Sequence, residues 1–204
     1  MILNVAVVIL AAGASTRMGV PKQLLPWGNE SLLNHVIHTA AILSQEVHVI
    51  LGANSKMIQA ALPSDGHIHC HTNPNWESGL GSSIAFALHT LKDFKLDGIL
   101  FLLGDQPFVN GAYLQEMYTT FKANPTSIIV SKFSGKLGVP AIFSSAFFNE
   151  LSTLNADVGA KQIIKRHTEK VRALEADQYV RDLDTLEDYR DAHNAEFGHT
   201  SFEL

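Results

Sequence analysis

The sequence predicts a single-domain α/β fold, in which a mainly parallel sheet carries helices on both faces. Strand-like apolar runs alternate with helix-like stretches over much of the chain, as βαβ units require. Two of these runs, at 5–10 and 98–103, are continuously apolar, as strands buried on both faces are. A chain of 204 residues with 46% hydrophobic and 17% charged residues is long and apolar enough to bury one compact core.

The elements follow one another in a regular order. Apolar runs between turn residues predict strands, and helical spacing of apolar residues predicts helices. The predicted strands are 5–10, 46–51, 67–71, 98–103 and 127–131, and the predicted helices are 31–43, 55–62, 82–91 and 111–123. We expect the domain to span residues 1–196. The tail, 197–204, lacks apolar periodicity and is expected to fray.

Composition excludes several classes of protein. The net charge of −5 argues against a nucleic-acid binder, which needs a basic face. The single cysteine, Cys70, excludes a disulfide within the chain. The N-terminus has neither a charged leader nor a cleavage-site pattern, and we expect no membrane span. The sequence therefore predicts a cytoplasmic protein that binds neither nucleic acid nor membranes.

The first chemical feature is the small-residue loop at 11–15, directly after the first strand. Small side chains leave the backbone N–H groups exposed, which suits an anion. Arg17 and Lys22 add cations that can bind a polyphosphate. The spacing matches neither the Walker loop nor the dinucleotide motif. The residues predict a nucleotide loop, with an ordinary strand–turn–helix connection as the alternative.

Residues 10–22 resemble the signature L-A-[AG]-G-x-S-x-R-M-G-x-x-K of the MobA-like nucleotidyltransferases, with Met18 and Gly19 among its fixed positions. In that family the signature holds the triphosphate and base of an NTP. The resemblance implies a Rossmann-like fold of the nucleotide-diphospho-sugar transferase type, and catalytic roles for Arg17 and Lys22. It also implies that the nucleotide is bound by Leu10, Ala11, Ala12, Gly13, Ser15, Arg17 and Lys22.

A second segment, 73–83, places two glycines and two serines before an apolar helix. The residues alone favour an ordinary helix N-terminus capped by Ser82 or Ser83. The spacing N-x-x-W-x-x-G-[ML]-x-x-S is also similar to the molybdopterin cytidylyltransferase branch of the family. That similarity implies that Asn73, Gly79, Ser82 and Ser83 line the nucleotide pocket, with Asn75 as the alternative to Asn73.

Two aspartates are candidate metal ligands. Asp105 follows the apolar run 98–103, a position at which a carboxylate faces the ligand crevice and can bind Mg²⁺. The residues fit equally well an aspartate that stabilises a turn before Pro107. The family motif G-D-[QM]-P implies a catalytic, metal-binding Asp105. The run 182–188 resembles D-I-D-T-P-E-D and implies Asp184 as the second ligand, whereas the residues alone also fit a helix capped by Asp184 or Thr185.

The acceptor pocket is implied by two further similarities. Residues 138–143 resemble the family's G-x-P-x-x-F. Residues 155–161 resemble G-D-x-G-A-R, and one alignment of this segment places Asp157 at the position of the motif's Asp. Val139 stands where the family often has His. Lys161 replaces the last arginine of the second motif, and a lysine lacks the guanidinium with which an arginine binds a phosphate through two hydrogen bonds. The implied acceptor-binding residues are Gln106, Pro107, Gly138, Pro140 and Lys161.

The histidines at 67, 69 and 71 share one face of a predicted strand, whereas Cys70 points to the other face. A second ligand pair at zinc spacing is missing, so an exposed or edge strand is favoured over a zinc site.

Together these features predict transfer of a cytidylyl group from CTP to a molybdopterin-type cofactor, with Mg²⁺ as cofactor and release of pyrophosphate. The expected partners are CTP, a phosphorylated pterin-type acceptor, and a molybdoenzyme or its chaperone. The alternatives are a guanylyltransferase or sugar-1-phosphate nucleotidyltransferase of the same superfamily, and a non-catalytic nucleotide-binding partner protein.

Overall fold

The computed structural model describes residues 3–44, 46–155, 159–181 and 183–198. The strands are β1 (Val5–Ala11), β2 (Pro26–Trp27), β3 (Glu30–Ser31), β4 (Val47–Leu51), β5 (Ile68–Thr72), β6 (Gly98–Leu103), β7 (Ile128–Phe133), β8 (Lys136–Ser144) and β9 (Val171–Glu175). The helices are α1 (Leu32–Ala40), α2 (Ser55–Ala61), α3 (Leu80–Thr90), α4 (Gly111–Ala123), α5 (Phe148–Ser152), α6 (Lys161–Arg166) and α7 (Leu186–Phe197). Among these residues, no helix has the length and apolar character needed to cross a membrane.

Seven strands form one sheet in the order β5-β4-β1-β6-β8-β7-β9. β1 pairs in parallel with β4 and β6, and β5 and β9 join in parallel at the two edges. β8 runs antiparallel to both of its neighbours. The structure therefore confirms a single α/β domain with a mainly parallel sheet. The carboxyl ends of β1 and β6 lie side by side, since Leu10 pairs with Leu103.

Helices cover both faces of the sheet because successive residues of β1 point to opposite sides. Val7 and Ile9 belong to one buried cluster, with apolar residues of α1, α2 and α4. Val8 and Leu10 belong to another, with apolar residues of α3, α5 and α6. A strand buried on both faces has no polar side, which is why 5–10 reads as an unbroken apolar run.

A third, smaller cluster joins the two ends of the chain. Met18, Leu25 and Trp27, which follow β1, are buried together with Leu183 and Tyr189 near the C-terminus. The Tyr189 hydroxyl donates a hydrogen bond to the carbonyl of Pro26. This cluster fixes the segment after β1 against α7, and so brings residues that are far apart in the sequence to one side of the sheet.

Several sequence-based expectations need correction or limits. Helix α3 begins at Leu80 with Gly79 as its N-cap residue, so the predicted cap at Ser82 or Ser83 is wrong. The predicted tail begins too early, because Phe197 ends α7 and its ring packs against Trp27 at 5.3 Å. Asp157 and the remainder of the tail, 199–204, lie outside the described residues.

Candidate active site

A cavity of about 320 Å³ lies beyond the carboxyl ends of β1 and β6. It is lined by residues 10–13, residues 22 and 23, parts of the segment 76–83, and residues 103–105. Open parallel sheets bind ligands at this position, and the volume lies at the lower end of the range for ligand pockets. The predicted nucleotide loop and the predicted metal ligand Asp105 therefore border one cavity.

The loop after β1 is held in shape by its own side chains. Ser15 adopts φ of +53°, and its hydroxyl accepts a hydrogen bond from the backbone N–H of Lys22 at 3.2 Å. Gln23 is buried, and its amide donates to the carbonyls of Ala11 at 2.9 Å and Gly13 at 3.1 Å. Sequence reasoning missed Gln23, because nothing in the sequence distinguishes a buried glutamine from an exposed one.

Lys22 and Asp105 form an ion pair across the cavity. Their side chains are 20% and 17% exposed, so both are largely withdrawn from water. Lys22 comes from the loop after β1, and Asp105 follows β6, so the parallel pairing of these strands brings the two together. A cation and a carboxylate beside one another in a half-enclosed cavity can bind a phosphate and a metal ion, respectively.

Arg17 and Asp184 form a second ion pair at 3.1 Å. Both side chains are much more exposed than the first pair, at 69% and 47%, and neither residue lines the cavity. Their neighbours Met18 and Leu183 are buried in the same cluster, which explains how residues 167 positions apart meet. Thr185 caps α7 and forms a capping box with Asp188, so Asp184 is not the cap.

The segment 73–83 uses its polar groups in two ways. Asn73 is buried, donates to the hydroxyls of Ser82 at 3.0 Å and Ser83 at 3.2 Å, and accepts from the backbone of Asn75. Gly79 and Ser83 line the cavity, whereas Asn73 and Ser82 do not. Asn73 therefore fixes the loop that carries the lining residues, including Trp76, which sequence reasoning left without a role.

The predicted acceptor-binding residues are divided among different parts of the molecule. Gly138 and Lys161 line a small, mostly apolar cavity of about 100 Å³, which shares Leu80 with the first cavity. Pro107 instead lines a larger cavity of about 1010 Å³ on the other side of its loop. Gln106 is buried, and its amide donates to the Val139 carbonyl at 3.1 Å.

Pro140 is buried and lines neither the small cavity nor the larger one. The Gln106 Oε1 atom is also buried and has no hydrogen-bond partner among the described residues.

Gly52 is expected to tolerate no larger residue, because it lies against both walls of the cavity. A Cβ atom there would come within 2.5 Å of the Trp76 Cβ and 2.6 Å of the Ala12 carbonyl oxygen. We expect Gly52→Ala to lower the free energy of unfolding by about 1–3 kcal/mol, as overpacking does. Urea unfolding measures this effect.

Gly66→Ala is the matched control, because a Cβ atom at Gly66 meets no heavy atom within 4 Å. Equal behaviour of the two variants would contradict the close packing at Gly52.

The histidine-rich strand β5 is an edge of the sheet, as expected. His48 on β4 lies 3.2 Å from His71, Nδ1 to Nε2, and its ring stacks on His69 with centroids 5.1 Å apart. His69 also pairs with Glu46. Within the described residues, no three His, Cys, Asp or Glu side chains are arranged to hold a metal ion.

The same histidines predict a loss of stability in acid. Burial, and to a smaller extent the neighbouring His71 and His69, lower the pKa of His48 from 6.5 to about 4, although Glu46 opposes them. The folded state therefore holds fewer protons than the unfolded state between these values, and stability falls as pH drops from about 6.5 toward 4. Between pH 7 and 5 we expect His48 to contribute a loss of about 2 kcal/mol.

Urea unfolding of the wild type and of His48→Gln at both pH values measures this contribution. Gln does not titrate, so the variant should lose less stability between the two pH values than the wild type. His89→Gln, on an exposed position of α3, is the control. If His48→Gln retains the full pH dependence, then His48 is not its source.

Comparison with known proteins identifies the family. The model of the MobA-like NTP transferase domain matches residues 7–171. The purine catabolism protein PucB of Bacillus subtilis (strain 168) is 32% identical over 193 residues, which cover 89% of this chain and 92% of PucB. The crystal structure of Rv0371c from Mycobacterium tuberculosis H37Rv has a TM-score of 0.79 at 31% identity, and covers 94% of this chain and 97% of its own.

A complex of Rv0371C with manganese has a TM-score of 0.77 at 30% identity, with 94% and 99% covered. A relative of this chain thus binds a divalent metal ion. By fold, cavity and sequence, the chain belongs to the MobA-like NTP transferase domain family, within the nucleotidyltransferase superfamily.

Proposed function

We propose that the protein transfers a cytidylyl group from CTP to a phosphorylated, molybdopterin-type acceptor and releases pyrophosphate. The observation that carries the proposal is the pairing of Lys22 with Asp105 across the cavity at the ends of β1 and β6. A non-catalytic nucleotide binder has no need for a carboxylate directed at the phosphate-binding cation. A triphosphate and its metal ion require both groups in one place.

The residues of the cavity fit Mg²⁺ as the proposed metal ion. In phosphate sites Mg²⁺ usually binds one or two carboxylates and takes its other ligands from phosphate oxygens and water. The described residues contain no set of three protein ligands, which is compatible with such a shared site. Asp105, which lines the cavity, and Asp184, which lies outside its lining, would hold the ion, which when bound would offset the charge of the phosphates.

The proposed reaction needs no covalent enzyme intermediate. An oxygen of the acceptor's phosphate attacks the α-phosphorus of CTP and forms a new P–O bond. The bond from the α-phosphorus to the bridging oxygen breaks, and its electron pair leaves with pyrophosphate. Lys22 stabilises the charge that accumulates on the triphosphate, and Arg17, whose exposed side chain pairs with Asp184, does the same from the rim. The loop fixed by Ser15 and Gln23 keeps Lys22 in position.

The acceptor is proposed to occupy the side of Asp105 that faces β8. Gln106 lies there, where its amide donates to the Val139 carbonyl and its buried Oε1 has no partner among the described residues. The small apolar cavity with Lys161 adjoins the nucleotide cavity at Leu80, so one ligand could reach both. A molybdoenzyme or its chaperone remains the proposed recipient of the product.

CTP is expected to be used in preference to GTP. Ala12 is buried and lines the cavity, and its methyl group stands where the guanylyl branch of the family usually has glycine. One methyl group discriminates by only about 1–3 kcal/mol, so Ala12 is one determinant among several. We expect Ala12→Gly to raise the kcat/KM for GTP relative to CTP. A kcat/KM for GTP equal to that for CTP in the wild type would reverse the assignment.

The decisive experiment measures pyrophosphate release from each NTP with Mg²⁺ and each candidate acceptor. The proposal expects release with CTP and a pterin phosphate acceptor. Release with GTP, or with a sugar 1-phosphate, would replace the proposed substrates by the alternatives. Nucleotide binding without pyrophosphate release under any pair would favour the non-catalytic partner protein.

A further inference from the structure

His35 on α1 makes two hydrogen-bond contacts that join the helix to the loop after β6. Its Nδ1 lies 3.2 Å from Oε1 of Glu30, and its Nε2 lies 3.1 Å from the carbonyl oxygen of Pro107. A carbonyl and an ionised carboxylate can only accept hydrogen bonds. Both contacts are therefore satisfied together only when both ring nitrogens carry a proton, which is the imidazolium form. Neutral His35 can keep only one of them.

The surroundings of His35 are consistent with a positive charge. Glu30 provides the counter-ion, and its other oxygen lies 2.6 Å from Nδ1 of His38, one turn further along α1. The ring of Trp27, from β2, is 6.3 Å from the ring of His35. Of the other residues that line the same large cavity, those that titrate or carry charge are Tyr179 and Glu196.

The contact with Pro107 acts on the proposed metal ligand through the backbone. Asp105 is two residues before Pro107, in a loop with two side-chain hydrogen-bond contacts among the described residues besides the Lys22 ion pair. Gln106 ties the loop to Val139 at the β8 side, and His35 ties it to α1 on the opposite side, where Phe108 also packs against Trp27. Loss of the His35 contact would remove the hydrogen bond on that side, and the Asp105 carboxylate would be less well oriented.

We propose that His35, held by Glu30, is a positioning residue that fixes the loop bearing Asp105 through the Pro107 carbonyl. The expected effect on metal binding rests on the proposed function, in which Asp105 holds the metal ion of the nucleotide. The contact between His35 and Pro107 can be tested without an activity assay. Mutation of a residue that orients a metal ligand without binding the metal itself typically lowers metal affinity by about 10–100-fold.

Three variants separate a hydrogen-bonding role from a merely structural one. His35→Met keeps the bulk but removes both donors, whereas His35→Gln keeps one N–H donor toward Pro107 and cannot change its charge. His38→Met is the matched control, because His38 contacts the same Glu30 but not the loop. Hydrogen exchange of the peptide 104–111 reports on the loop. Calorimetric titration with MnCl₂ in the presence of α,β-methylene-CTP reports on the proposed site.

We expect His35→Met to speed exchange of the peptide 104–111 and to weaken Mn²⁺ binding by about 10-fold. His35→Gln should recover most of both effects, and His38→Met should resemble the wild type.

The proposal is overturned if His35→Met matches the wild type in both measurements, or if His35→Gln is no better than His35→Met. Failure of the proposed function would look different. In that case wild-type protein would release no pyrophosphate with any NTP. Hydrogen exchange of the peptide 104–111 would still be faster in His35→Met than in His35→Gln and the wild type.

Discussion

Lys22→Ala is expected to lower turnover by two or more orders of magnitude while the protein remains folded. Loss of one preorganised group that stabilises developing charge costs about 2.7–4 kcal/mol in active sites. The largest effect should be on kcat, because the charge on the leaving pyrophosphate grows as the bond breaks. Pyrophosphate release at saturating CTP, together with a circular dichroism melt, measures activity and folding separately.

The matched control is Lys56→Ala, which removes an exposed lysine from α2. Lys22→Arg adds a second test, because Arg keeps the charge but differs in shape from the compact ammonium group that pairs with Asp105. Near-wild-type pyrophosphate release by Lys22→Ala would remove Lys22 from the mechanism.

Asp105→Asn and Asp184→Asn are each expected to abolish Mg²⁺-dependent activity. If the two carboxylates hold one ion, the double variant should be little worse than either single variant, as for residues that act as a unit. Stability should change little in Asp184→Asn, because exposed ion pairs such as Arg17–Asp184 contribute about 0–1 kcal/mol. Activity over a range of Mg²⁺ concentrations and thermal melting measure the two effects.

Asp93→Asn, at an exposed position beyond α3, is the control for loss of one carboxylate. Full activity of Asp184→Asn at low Mg²⁺ would show that Asp184 is no ligand. In that case Asp105 would remain the proposed ligand, and the Arg17–Asp184 pair would be a surface contact.

The fold was largely predictable because its strongest signals are local. Helix α4 was predicted with the observed bounds, Gly111–Ala123, and β6 likewise, Gly98–Leu103. Helix ends were less certain, as α3 shows, because Gly79, with a φ of +96° that suits glycine, is the N-cap residue and precedes the serines that would normally cap a helix. The antiparallel strand β8 was not anticipated, because Gly138 and Pro140 interrupt its apolar pattern and its direction depends on the fold of neighbouring strands.

The candidate site was only partly predictable. The sequence predicted that the loop at 11–15, Lys22 and Asp105 belong to the site. The reason is that small residues and a cation after one predicted strand, and a carboxylate after another, are an unusual combination. It did not reveal Gln23, which donates to backbone carbonyls of its own loop, or His35, which contacts a backbone carbonyl 72 positions away. Such partners depend on tertiary packing and leave no pattern in the spacing of residues.

The two ion pairs bear on how the metal ion and the nucleotide depend on each other. Lys22 with Asp105, and Arg17 with Asp184, pair each proposed phosphate-binding cation with a proposed metal ligand. A metal ion alone must compete with the cations, and a triphosphate alone must compete with the carboxylates. A metal ion and a triphosphate that arrive together satisfy both members of each pair. Each ligand should therefore raise the affinity for the other by the same factor, so that the site favours the metal–nucleotide complex over either component.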